Sequence, residues 1–414
     1  MRRSRVPADN RRASWLCCQL GAREHYAVPR ALHRRQQLAH LVTDAWVAPQ
    51  SAFRALPGVR AGRLRERYHE ELGRVPITHF TSSLVGHEFL WRARSIRGWQ
   101  LFMARNSWFQ QRAARAIQAL PAAPATFVFA HSYAALEIFR AARQRNYRCV
   151  LAQIDPGERH FALVAESAQQ APEYGPPPPA PPAGYLEAWR EECAIADHIV
   201  VNSEWSLQSL EHVGIPASKM TVVPLAYEGQ GAVSEVHAYP DRFTIERPLR
   251  LLYVGQVSVA KGVNALFDAM ALLGDAPVEL TVVGERSARV PPRHLDDRRI
   301  RWIGPVSRRA VMSHYRAADA LTFPSLSDGF GMAQVEARGW RLPIVASRSC
   351  GQVVDDGVNG VVLAEVTPQA IAAVIRRLLA SPQLLAEFSR NSGTAPSGGL
   401  DALGESLSSL EVVR

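Results

Sequence analysis

The sequence predicts an α/β protein made of two doubly wound, parallel-sheet domains joined by a linker. Three observations carry that expectation. The chain has 414 residues, too many for one ordinary core and suited to two domains of roughly 150–200 residues. From Leu249 onward, short apolar strands alternate with helical stretches of about 10–15 residues, the pattern of a parallel sheet covered on both faces. Upstream of Leu249 the same alternation runs less cleanly.

In the first half, "SWLCCQL" reads as the leading strand, with further strands in "AHLVTD", "TFVFAH", "YRCVLAQI", "DHIVVNS" and "MTVVP". Helices are expected in "SYAALEIFRAARQR" and "EWSLQSLEHVG". "APEYGPPPPAPPAGY" can only be an extended loop, because its prolines fix φ and remove amide donors. "YEGQGAVSEVHAYPDRFTIERP" reads as the linker, giving a first domain over 1–245 and a second over 246–394. In the second half the strands are "LRLLYVG", "VELTVVG", "IRWIG", "DALTFP", "LPIVAS" and a short one in "DDGVNGVVL". The helices between them are "VNALFDAMALL", "SRRAVMSHYRAA", the run after "SDGFG" and "PQAIAAVIRRLL". A flexible break at "NSGTAPSGG" precedes a last helical stretch, "LDALGESLSSLEVV". No repeat is evident beyond this βα alternation.

Composition narrows the function. An apolar fraction of 47% and a charged fraction of 21% are those of a globular protein. No apolar run reaches transmembrane length, and the basic start "MRRSRVPADNRRASWLCCQL" has too short an apolar part for a secretory signal. Five scattered cysteines without Cys-x-x-Cys argue for reduced thiols in the cytoplasm, neither a disulfide framework nor a zinc site. The net charge of +10 is almost all arginine, since Lys219 and Lys261 are the only lysines. No nucleic-acid-binding motif accompanies it, so nucleic acid is not expected as a partner. Anionic partners such as nucleotide phosphates or a cytoplasmic membrane leaflet remain suited to it.

Ligands of doubly wound sheets bind at strand-to-helix loops, and two such domains should frame a central cleft. The first loop of the second half, "VGQVSVAKG", places Lys261 at a helix start beside backbone amides, a plausible diphosphate clamp. A merely solvated lysine is the competing reading. In "FPSLSDGFGMAQVEARGWRLPIVAS", Gly329 and Gly331 permit a tight turn close to a ligand. The amides of Gly331, Met332 and Ala333 would then point from a helix N-terminus toward an anion. Asp328 lies before that turn and Glu336 more than one helical turn after it, spaced to accept hydroxyls at two ends of an extended ligand. Taken singly, Asp328 reads equally as a turn cap and Glu336 as a surface acid. "QIDPGERH" offers Asp155 and Glu158 against the plainer reading of a polar loop. "FLWRARSIRGWQLFMARNSWFQQRAARAI", if helical, is either a basic amphipathic membrane face or a packing helix with a solvated arginine side.

"VGQVSVAKG", the run "GPVSRRAVMSHYRAADALTFPSLSDGFGMAQVEARGWRLPIVAS", "DDGVNGVVL" and "WREECAIADHIVVNSEWSLQSLEHVGIPASKMTVVP" together resemble the retaining glycosyltransferases of family 4. That resemblance implies a GT-B fold of two Rossmann-like domains, with 395–414 crossing back onto the first. It implies that Lys261 meets the donor diphosphate, Glu336 the ribose and Asp328 the transferred sugar. Gln256, Val306, Gly329, Phe330, Gly331, Met332 and Ala333 would complete the donor site, and His131 would touch the donor sugar. The loop carrying Gly21, Arg23, Glu24 and His25 would shape the acceptor site. Two positions depart from the family pattern: Asp328 stands where Glu is usual, and Gln256 where Arg is frequent.

The expectation is therefore a hexosyl transfer from a nucleotide-diphosphate sugar to a glycan, lipid-linked or small-molecule acceptor, with retention. The donor is a substrate; no cofactor is expected, and no Asp-x-Asp signature calls for a metal. Peripheral placement at the inner face of the membrane fits the basic charge. The competing class is an inactive sugar-nucleotide-binding protein of a polysaccharide assembly system.

Overall fold

Apolar runs flanked by helices become parallel strands because both sheet faces are covered, and the central strands of each sheet are buried on nearly every residue. The computed structural model describes residues 14–55, 64, 66–121, 127–228, 237–392 and 398–410. The basic leader up to residue 13, the middle of the linker at 229–236 and the break at 393–397 lie outside the described residues.

Thirteen strands are present among the described residues. In the first sheet they are β1 (Trp15–Gln19), β2 (Leu38–Thr43), β3 (Ile77–His79), β4 (Phe127–His131), β5 (Arg148–Gln153), β6 (His198–Val201) and β7 (Met220–Val222). In the second they are β8 (Leu249–Val254), β9 (Val278–Val283), β10 (Ile300–Gly304), β11 (Ala320–Phe323), β12 (Ile344–Ser347) and β13 (Gly360–Leu363). The strand orders are β3-β2-β1-β4-β5-β6-β7 and β10-β9-β8-β11-β12-β13. Each described register is parallel, for example Cys17 beside Leu41 and Phe129, and Leu252 beside Thr281 and Leu321.

The chain clusters into two units. One takes the described residues of Met1–Ala152, Pro182–Ile199 and Leu400–Arg414; the other takes those of Gln153–Pro181 and Val200–Gly399. In the first, the Leu400–Ser409 helix packs on the Ala27–Arg34 helix, with Ser408 Oγ 2.9 Å from Arg35 Nε and 2.8 Å from Gln37 Oε1. In the second, the far end of the linker is fixed to the domain rather than slack. Arg247 pairs both guanidinium nitrogens with buried Asp319 at 2.7 Å, and the Tyr239 hydroxyl donates to Asp319 O at 3.0 Å.

Three local readings need correction. "QIDPGERH" is not a polar loop throughout: Glu158 opens a 13-residue helix, Glu158–Gln170, behind a Gly157 N-cap at φ 64. "FLWRARSIRGWQLF…" is two helices, Thr81–Ala93 and Gly98–Ala119, broken where Ser95 (φ 53) and Gly98 (φ 54) turn left-handed. The proline-rich loop contains a short 3-10 turn at Pro172–Tyr174, and its Tyr174 side chain is buried in the second unit.

Candidate functional site

In the second unit, strand order decides which loops meet. β8 and β11 are neighbours, and the crossovers on their two sides leave in opposite directions. The loops at their carboxyl ends therefore open side by side at this switch point. The first carries Lys261, the last residue of a 3-10 turn stopped by Gly262 at φ 68. The second carries Asp328, whose amide donates to Ser349 O at 2.8 Å. Lys261 Nζ forms an ion pair with Asp328 Oδ2, and the ammonium lies 5.9 Å from the Phe323 ring centre. The residue expected at the donor diphosphate thus directly contacts the one expected at the transferred sugar.

The glycine turn after Asp328 is tightly enclosed. A Cβ on Gly329 would lie 2.6 Å from Ile154 O and 2.7 Å from Asn202 Nδ2, so no side chain fits there. Gly329 O accepts from Ser203 Oγ at 2.5 Å, and Trp205 Nε1 donates to Ser327 Oγ at 3.3 Å. Gly331 at φ 87 is the N-cap of the Met332–Gly339 helix, a conformation open to glycine at little cost. Among the described hydrogen bonds none uses the Gly331, Met332 or Ala333 amide. Phe330 is buried, Val306 half-buried, and the Gln256 side chain exposed, while Gln256 O accepts from the Tyr253 hydroxyl at 2.6 Å. Glu336 is half-buried and receives the Tyr315 hydroxyl on Oε2 at 2.8 Å.

His160 joins this group, and sequence reasoning missed it. It sits in the first turn of the Glu158–Gln170 helix, near enough to Lys261 and Asp328 to feel both charges. Burial pushes its pKa down, opposed by Asp155 and helped by Lys261. Its Nδ1 is buried without a hydrogen-bond partner. Asp155 serves the turn before that helix: Oδ1 accepts from Gln153 Nε2 at 3.0 Å and from the Gly157 amide at 2.9 Å. Beside it, the Arg159 guanidinium lies 4.7 Å from the Trp205 ring centre.

The first unit repeats the logic. β1 and β4 are neighbours at its switch point, so the loop after Gln19 and the end of "FVFAH" come together. Gly21 (φ 89) donates its amide to Asp44 Oδ1 at 3.0 Å, and Arg67 Nη1 lies 3.3 Å from the same oxygen. Arg23 to His25 form a 3-10 turn, and Glu24, His25 and Tyr26 all take positive φ. Burial pushes the Glu24 carboxyl up, with Arg23 opposing. His131 is buried, its Nδ1 has no hydrogen-bond partner, and burial with nearby Arg23 holds it well below the usual histidine range. It is a neutral imidazole at pH 7. Behind it, buried Glu192 accepts the amides of Tyr133 (2.7 Å), Ala135 (2.8 Å) and Leu136 (3.1 Å).

Residues 248–381 match the family described as Glycosyl transferases group 1. The D-inositol 3-phosphate glycosyltransferase of Geodermatophilus obscurus is 31% identical over 223 residues, 48% of this chain and 48% of that protein. The corresponding protein of Xylanimonas cellulosilytica is 35% identical over 147 residues, 33% of this chain and 35% of its own. The match therefore spans half or less of these curated relatives.

Over residues 248–381 the chain is similar to the group 1 glycosyltransferases.

Solved structures extend the likeness from this group 1 region to nearly the whole chain. Anabaena Alr3699/HepE in complex with UDP superposes with a TM-score of 0.62 at 14% identity, over 97% of this chain and 100% of that one. Sucrose-phosphate synthase from Thermosynechococcus elongatus gives 0.62 at 16%, over 97% and 98%. At such identities the likeness is one of fold: two parallel α/β sheets of the GT-B type.

Proposed function

We propose that this chain is a retaining glycosyltransferase that moves a hexose-type sugar from a nucleotide-diphosphate sugar to a glycan, lipid-linked or small-molecule acceptor. The observation that carries the reading is the Lys261–Asp328 pair at the β8/β11 switch point, set beside the Gly331 turn and its helix start. A cation and a row of amides can hold a diphosphate, and the adjoining carboxylate can accept sugar hydroxyls. Glu336 would take the ribose, its rotation fixed by Tyr315 on one oxygen so that the other faces the ligand. The UDP and UDP-glucose in the HepE complexes support this ligand class.

The barrier is departure of the nucleoside diphosphate from an oxocarbenium-like sugar. Lys261 and the amides of Gly331 to Ala333 would stabilise the charge that develops on the leaving phosphate, in place before the reaction begins. As donor phosphate draws Lys261 toward itself, Asp328 is released to the sugar hydroxyls. Retention follows a front-face route: the acceptor proton passes to the leaving phosphate, and the new bond forms on the face being vacated. His131, neutral at pH 7, can share a hydrogen bond with a sugar hydroxyl, and the Gly21–His25 turn would shape acceptor binding. Val306 and Phe330 add apolar wall, and Gln256 a neutral donor.

A panel of UDP-, GDP- and ADP-sugars with product analysis tests the reading. Transfer with retained anomeric configuration is expected, unchanged by EDTA, because protein groups neutralise the phosphates. Donor binding without hydrolysis or transfer to any acceptor would instead establish the inactive sugar-nucleotide-binding protein.

We also assign the first unit a peripheral contact with anionic lipid at the inner membrane face. Phe89 (66% exposed), Leu90 and Phe102 project apolar surface beside exposed Arg92, Arg94 and Arg97. Apolar residues next to cations suit the boundary of an anionic leaflet. No described helix is long and apolar enough to cross a membrane. The chain should co-float with phosphatidylglycerol vesicles, less at high salt, and Phe89→Glu with Leu90→Glu should abolish it. Equal flotation with neutral lipid would refute the electrostatic part.

A further inference from the structure

We propose that the second unit carries another ligand site, separate from Lys261, Asp328 and Glu336, that binds a neutral saccharide. A cavity of about 450 Å³ lies between the start of the Glu204–His212 helix and the loop after β12, within the size range of small-molecule sites. Its walls include Glu204, Trp205, Gln334, Arg348, Asp355 and Asp356, and none of the three donor-site residues.

Charge decides what fits. Three carboxylates face the Arg348 guanidinium, and Arg338 lies 3.9 Å from Asp355, which leaves a net excess of one negative charge in a chain whose net charge is +10. A phosphate or second nucleotide is repelled. A polyamine would meet the acids but also the Arg348 cation. A polyhydroxylated ring suits all of them: hydroxyls donate to the carboxylates and accept from the guanidinium, while the Trp205 indole offers apolar surface to ring C–H groups.

Gln334 supplies an independent sign. Its side chain is fully buried, and Nε2 donates to Phe330 O at 3.1 Å, Cys350 Sγ at 3.3 Å and Gly351 O at 3.4 Å. Those three acceptors fix the amide's orientation and leave Oε1 of this wall residue buried without a partner. A buried unpaired oxygen costs about 1–3 kcal/mol, and a small outward shift of the amide would bring it within reach of a ligand hydroxyl. Trp205 also donates to Ser327 Oγ, the residue preceding Asp328. A bound saccharide would therefore press on the donor loop without sharing its ligands.

The inference does not rest on sugar transfer, and the test keeps the two apart. The full chain is titrated calorimetrically with maltose, N-acetylglucosamine, inorganic phosphate and spermidine, each with and without saturating UDP. Saccharide binding is expected in both conditions. Trp205→Ala should weaken it about tenfold or more, as should Arg348→Ala combined with Asp356→Ala, and the double variant should keep UDP affinity within about threefold. The double variant alters exposed side chains and so guards against a Trp205→Ala protein that fails to fold. Competition between saccharide and UDP, binding that ignores the double variant, binding of phosphate or spermidine alone, or no saccharide binding would each overturn the site. Failure of UDP, GDP and ADP alike to bind would sink the transfer reading and leave the saccharide titration to stand on its own.

Discussion

Lys261→Ala is expected to lower kcat/KM about 10²–10³-fold, the usual loss when one preorganised charge-stabilising donor is removed from a leaving group. Steady-state kinetics with the donor found in the panel, together with nucleoside-diphosphate titration, would measure it. Because Lys261 and Asp328 form an ion pair across 67 positions of chain, their substitutions should not behave independently. Asp328→Ala should cost turnover more than nucleoside-diphosphate affinity, since it removes the sugar contact and leaves the phosphate clamp. Equal losses in both would contradict that division of roles. The double variant should fall short of the sum of the two losses, because each single change also strands the partner's charge. Lys261→Arg should restore little. Guanidinium is a planar fork, whereas this turn presents a single point charge to both a carboxylate and a phosphate.

That pairing marks where sequence reading stopped. Gly21, Lys261, Gly331, Asp328 and Glu336 could be singled out because turn chemistry and strand-to-helix loops are local properties. Contact between Lys261 and Asp328 follows from β8 lying beside β11, which is a property of strand order and invisible to local pattern. His160 escaped notice for a different reason. Asp155, Pro156 and Gly157 read as a continuing loop, so the helix that begins at Glu158 was hidden behind its own turn residues. β3 is only three residues long, too short for an alternation to register. The break between Ala93 and Gly98 depends on left-handed Ser95, a conformation nothing in "RARSIRG" announces. Most strands and the longer helices of the second half were legible because their cores impose strict periodicity.

Glu192→Ala is expected to destabilise the first unit by about 3 kcal/mol or more, the cost of leaving buried amides without an acceptor. Glu192 sits on the Tyr185–Ile195 helix, where a glutamate ordinarily faces water, yet it is 1% exposed. Its two oxygens close the loop that follows His131 and cap the start of the Leu136–Gln144 helix. Removing it should loosen His131 as well as the fold, so residual activity should fall even at temperatures where the variant remains folded. Burial pushes the Glu192 carboxyl up to about 7, against the downward pull of three amide donors. The folded chain therefore holds this proton more tightly than the unfolded one, whose value is near the ordinary 4.5. Linkage gives the sign: between about pH 4.5 and pH 7 the native state binds more protons, so this group's contribution to stability declines as pH rises through that window. Glu192→Gln cannot titrate, and its Oε1 can keep the bonds to Ala135 and Leu136 while its NH₂ opposes the Tyr133 amide. Thermal melts from pH 4.5 to 7.5 should show the variant less stable than wild type, with the Glu192 share of the pH slope removed. A variant that matched the wild-type slope would mean the carboxylate stays ionised throughout, held by its three amides despite its burial.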